Sequence, residues 1–170
     1  MSLNGNTSYQ YLDGRTLNNG GTAVSTGPYG LYLSNNAVFN NLAGATFDNQ
    51  SDQYIPGGGT FNNAGSFIKS AGTGTTMLYL TFNNTGSVDV QSGTLDIAWG
   101  GTSSGPFTVP AGATLQFSGD TRDLTSNITG AGRVNFAGGT VNINGGVYNI
   151  TGSTVVNGGT AHFNPASTLV

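Results

Sequence analysis

The chain has 170 residues, enough for one domain, with 29 glycines, no cysteine, no glutamate and 6% charged residues against a usual value of about 25%. Net charge is −3, and the only basic side chains are Arg15, Lys69, Arg122 and Arg133. This composition excludes a basic nucleic-acid binder, a disulfide or zinc–cysteine scaffold, and a bundle of helices rich in Glu and Lys.

Hydrophobic residues are sparse at 36%, yet nine Phe and seven Tyr are spread along the chain. Disordered chains of such low hydrophobicity carry high net charge and few aromatics, so disorder does not fit. Thr, Val, Phe and Tyr favour strands, and Gly and Asn favour tight turns. The expected class is all-β. No run of about 18 apolar residues exists to cross a membrane as a helix. Met1-Ser2-Leu3-Asn4-Gly5 is not a signal peptide, and the chain reads as a single domain over 1–170 taken from a longer protein.

Residues 1–35, with Tyr9, Tyr11, Leu12 and the turn Gly27-Pro28-Tyr29-Gly30, match no repeat and are expected to form an irregular first coil or cap. Repeats then run over 36–165. Phe39-Asn40-Asn41, Phe61-Asn62-Asn63 and Phe82-Asn83-Asn84 recur at steps of 22 and 21, and Gly44, Gly65 and Gly86 at an even 21. The segments 50–59, 71–76 and 100–106, rich in Gly, Ser, Thr and Pro, read as loops bulging from coil corners. Downstream, a glycine precedes alternating apolar and polar residues. Gly93-Thr94-Leu95-Asp96-Ile97, Gly112-Ala113-Thr114-Leu115-Gln116-Phe117, Gly132-Arg133-Val134-Asn135-Phe136 and Gly159-Thr160-Ala161-His162-Phe163 are examples.

Alternation with period two means short strands with one buried face. A repeat near 20 residues holding two or three such strands is the size of one solenoid coil. The sequence therefore predicts a single-stranded parallel β-helix (β-solenoid) of roughly eight coils of about 20–21 residues. A β-sandwich or up-and-down barrel also has short strands, but antiparallel hairpins give no reason for sequence to recur at that step.

The Phe-Asn-Asn-x-Gly-Ser/Thr repeats and the Gly-Thr-apolar-x-apolar strands, in a Ser/Thr/Asn/Gly background, resemble bacterial surface-exposed β-helical repeat proteins. These are autotransporter passenger domains and filamentous-haemagglutinin-like adhesins. The resemblance spans about residues 36–165. It implies a right-handed parallel β-helix, an extracellular or cell-surface location, and adhesive or scaffold roles.

In a stacked solenoid, asparagines at equivalent corners form amide ladders, the expected role of Asn40, Asn62 and Asn83 and of Asn41, Asn63 and Asn84. Phe39, Phe61 and Phe82 read as stacked core aromatics. The only carboxylates are seven aspartates. Asp89 and Asp96 are expected to point outward from different faces, and Asp120, Arg122 and Asp123 to pair in one surface turn. His162 falls on an outward strand position, and a lone histidine with no cysteine makes no nucleophilic triad. No cofactor or metal site is expected. Exposed aromatics can stack on sugar rings: Trp99 leads, followed by Tyr54, Tyr79 and Tyr29. Threonines such as Thr73, Thr75 and Thr76 are too isolated for the flat arrays of ice binding.

The reading that follows is a non-enzymatic structural or adhesive module, a stiff rod able to stack end to end on itself. The alternative is a carbohydrate-binding or polysaccharide-active β-helix. Partners are a second copy or surface glycans, with no nucleic acid and no membrane insertion.

Overall fold

The computed structural model describes residues 1–170, in twenty-three short strands, from Ser2–Leu3 to Thr168–Leu169, and no helix. Every pairing between these strands is parallel, each strand to its counterpart one coil earlier and one coil later. The chain is a β-solenoid of about 8 turns. No helix is present that is long and apolar enough to cross a membrane.

Each coil has three faces. The first face stacks Gln10–Asp13, Leu31–Ser34, the leading halves of Tyr54–Asn63 and Thr75–Asn84, then Thr94–Ile97, Thr114–Phe117, Arg133–Phe136 and Ser153–Val156. The second carries Thr16–Asn19, Val38–Asn41, the trailing halves of the same two long strands, Gly101–Ser103, Thr121–Leu124, Thr140–Ile143 and Thr160–Phe163. The third is a nine-stranded sheet that includes Thr46–Asn49, Ser66–Lys69 and Ser87–Val90.

The repeated letters coincide in space. Phe39, Phe61 and Phe82 lie in one register column, with Asn40, Asn62 and Asn83 in the next and Asn41, Asn63 and Asn84 in the one after. Odd and even positions alternate between core and surface, so the phenylalanines fill the interior. Phe39 and Phe61 stack at 4.7 Å, Phe47 and Phe67 at 5.3 Å, and the two columns meet edge to face at 5.1–5.7 Å. All are fully buried, and each contributes about 1.5–3 kcal/mol of burial free energy. A coil of this width cannot bury such rings alone; its neighbours above and below supply the cover.

Two expectations are corrected. The stretch 50–59 is not simply a corner loop: Tyr54–Asn63 is one continuous ten-residue strand. Thr75–Asn84 is another, running from the first face onto the second. In Tyr54–Asn63 three glycines and Pro56 hide the alternation that marks other strands, but the backbone still pairs with the coil above, Pro56 opposite Tyr79. Residues 1–35 supply five strands, and Leu17-Asn18-Asn19 lies in register beneath Phe39-Asn40-Asn41.

Candidate functional site: an aromatic groove on the first face

Along most of the rod the outward positions carry Thr, Asn, Asp and Ser. The first five coils of the first face differ. Tyr11 and Tyr32 pair in register and stack at 5.0 Å, tilted by 32°. Two coils further on, Tyr79 and Trp99 stack at 4.9 Å, tilted by 41°. Between these pairs runs Pro56-Gly57-Gly58, a rung without large side chains. Tyr54 stands beside Tyr79 at 5.9 Å, and Tyr9 packs edge-on against Tyr29 and Tyr32 at 5.4 and 5.6 Å.

The result is an open groove of about 390 Å³, lined by Tyr9, Tyr32, Tyr54, Pro56, Gly57, Gly58, Tyr79 and Trp99. That volume lies within the range of small-molecule sites. No lining residue is charged. None of the lining hydroxyls, nor the Trp99 indole N–H, has a hydrogen-bond partner in the protein. Burial, with the nearby hydroxyls of Tyr79, Tyr9 and Tyr32, pushes the Tyr54 phenol above its usual range, so it stays neutral.

Gly57 is required by the groove floor. Its φ is +125°, and a Cβ there would lie 1.9 Å from the Leu33 carbonyl oxygen. Gly58 is different: a Cβ there meets nothing within 4 Å. The missing side chain at 58 leaves space for a guest, whereas the one at 57 is a demand of the backbone.

Buried cations hold the chain on both sides of the groove. Arg122 is not part of a paired surface turn; it points inward and is 2% exposed. It reaches past Gly101 to donate to the carbonyls of Phe82 (2.9 Å), Trp99 (2.8 Å) and Gly100 (2.7 Å). Burial pulls its guanidinium down to about 10. Lys69, fully buried, donates to Asp52 Oδ1 at 2.8 Å and to the carbonyls of Ala71 and Ser51. Burial alone would raise the Asp52 carboxyl, but the bonds from Lys69 and the Gly74 N–H outweigh it and hold it below its usual range. Asp52 leads directly into Gln53 and Tyr54. Gln53 donates to Ser25 Oγ at 2.6 Å and to Asn49, whose Nδ2 reaches Thr76 at 2.7 Å.

The remaining candidates lie elsewhere. Asn41 Nδ2 donates to Asn63 Oδ1, and Asn63 Nδ2 to Asn84 Oδ1, each at 2.8 Å in the interior; Asn19 extends this row by one coil. On the outside, Asn83 donates to Asn62, Asn62 to Asn40 and Asn40 to Asn18, in the opposite direction. Asp96 is not surface-exposed: it is 1% accessible beneath Ser118 and Gln116, and burial raises its carboxyl against their hydrogen bonds. Asp89 sits half-buried on the third face, away from it. His162 is exposed in the Asn142 column. No three His, Cys, Asp or Glu side chains converge.

Trp99, Tyr54 and Tyr79 are thus brought to one place, with Tyr29 at its edge through Tyr9. Sequence reasoning missed Tyr9 and Tyr32. The signal was present: Tyr11 and Tyr32 are one coil apart in number, and Tyr54, Tyr79 and Trp99 continue at 20 to 25 residues.

Set against known proteins, the chain matches no family model, no curated protein and no solved structure.

Proposed function

We propose that the chain is a non-enzymatic adhesive module of a bacterial cell-surface or secreted protein, a rigid β-helical rod that holds surface glycans in its aromatic groove. The observation that carries this reading is the groove itself. Five aromatic side chains gather on an outward face whose other columns are polar. Aromatic faces attract the C–H-rich side of sugar rings, and unpartnered hydroxyls suit sugar hydroxyls. Hydrolysis of a glycan would call for a pair of carboxylates flanking the bond, and none lines this groove. The resemblance to autotransporter and haemagglutinin-like adhesins supports the extracellular setting.

The test uses fluorescently labelled chain on epithelial cells, before and after glycosidases strip the surface. The expected result is saturable binding that disappears after stripping and in Trp99→Ala. Binding that survives both treatments, or none at all, overturns the reading.

A further inference from the structure

We infer that the groove is a one-ring slot for an uncharged pyranose, clamped between the ring faces of Tyr32 and Tyr79 over the floor Pro56-Gly57-Gly58. This rests on the adhesive reading and narrows it to a ligand class.

The geometry comes from the solenoid itself. Adjacent strands lie about 4.8 Å apart. Tyr32 lies 5.0 Å from Tyr11 and Tyr79 lies 4.9 Å from Trp99, tilted by 32° and 41°, so the rings of each pair partly face one another along the rod. One rung separates Tyr32 from Tyr79; on it Pro56 stands in register with Tyr79, and Gly57 and Gly58 follow. Two regular strand spacings would set the two rings about 9.5 Å apart. A flat aromatic guest in contact with both faces needs only about 7–8 Å, at 3.5–4.0 Å on each side. A puckered pyranose chair is thicker and fills the difference. In the aromatic column this rung carries Pro56 in place of an aromatic ring, and the groove beside it is open to a sugar ring.

Chemistry narrows the guest further. The lining has no cation to meet a uronate or sialate carboxylate, and no carboxylate to meet an amino sugar. The hydroxyls of Tyr9, Tyr32, Tyr54 and Tyr79 and the Trp99 indole N–H are free, neutral partners for ring hydroxyls. A neutral hexose within a chain satisfies both the shape and the charge. Tyr9 and Tyr54 close the sides, so neighbouring sugars of the chain leave the slot across the rod surface.

The experiment titrates cellohexaose, mannohexaose and maltohexaose, with a heparin-derived hexasaccharide as the charged comparison, into the full chain by calorimetry and Trp99 fluorescence. The variant is Gly58→Tyr. Gly58 lines the groove and a Cβ there meets no neighbour within 4 Å, so the new side chain enters the open groove rather than the packed core. We expect at least one neutral hexasaccharide to bind and shift Trp99 emission. Gly58→Tyr should lose at least about tenfold in affinity while its melting temperature is unchanged or raised. Gly58→Ala, adding one methyl, should fall between.

Equal binding by Gly58→Tyr would overturn the slot and leave the groove as a glycan surface. Binding of the heparin fragment alone would overturn the neutral class. Silence from all four sugars, with glycan-dependent cell binding intact, would overturn the slot but not adhesion. Silence together with loss of cell binding would overturn both.

Discussion

At the scale of single residues, Arg122 decides how firmly the groove is held. Taking a guanidinium out of water costs several kcal/mol, and its lowered proton affinity records that cost. Three carbonyls at 2.7–2.9 Å offset it, each bond to a charged donor contributing about 1.5–3 kcal/mol. Two of these carbonyls belong to Trp99 and Gly100, so the cation's main product is a fixed indole. Arg122→Met keeps the stem but leaves the carbonyls without their donor. The expected cost is about 2–4 kcal/mol, with red-shifted Trp99 emission. A variant as stable as the parent, its indole emission unmoved, would show that the cation neither stabilises the coil nor positions the tryptophan. The inward direction was legible in parity. Arg122 shares its side of the strand with Leu124, as Lys69 does with Phe67. Charge type suggested the surface, and strand alternation prevailed because Gly101 below leaves a channel for the side chain.

At the scale of strands, the two asparagine rows show how the same residue type carries different weight. Asn63 is 1% exposed and makes three bonds: it accepts from Asn41 and donates to Asn84 and to the Ser87 carbonyl. That last bond fixes which end of the amide is nitrogen, and hence the direction of the inner row. Asn62, one position earlier, faces outward and bonds only its counterparts Asn40 and Asn83. Asn63→Ala strips a buried corner of its partners and should cost about 2–4 kcal/mol; Asn62→Ala, where water replaces the lost bonds, should cost about 1 kcal/mol or less. Urea unfolding of the pair checks this, and equal midpoints would refute the distinction. The Phe-Asn-Asn rows were readable because identical side chains recur at identical corners. The groove was only half readable. Tyr54, Tyr79 and Trp99 stand out as exposed aromatics, but Pro56-Gly57-Gly58 looks like a loop in sequence because a strand is recognised by its side chains. Here the backbone supplies the pairing and the missing side chains supply the site. Tyr9 escaped notice because its coil carries Leu17-Asn18-Asn19 rather than Phe-Asn-Asn, and Tyr32 because it precedes the first Phe-Asn-Asn repeat.

At the scale of the whole molecule, the two ends of the rod differ in cover. On the last coil Thr154, Val156, Phe163 and Leu169 occupy inward columns above Val134, Phe136, Ile143 and Tyr148. Val156 is 55% and Leu169 61% exposed, against 6% for Leu3 and 9% for Leu12 on the first coil. The strands Ser153–Val156, Thr160–Phe163 and Thr168–Leu169 each have one unpaired backbone edge. Such edges pair with any strand of matching direction. In a parallel solenoid the matching edge is the first coil of another copy, so contact between the two ends is heterologous and does not close. A net charge of −3 offers little repulsion. We therefore expect the 170-residue chain by itself to form rods that lengthen with concentration in light scattering and negative-stain microscopy, in steps of about 40 Å, the height of eight coils. Phe163→Asp places a charge on the exposed coil and should hold the particle to a single copy, with the groove and its ligand binding intact. A parent chain that stays monomeric at every concentration would mean that the exposed coil does not recruit a second copy, and adhesion would then rest on the lateral groove alone.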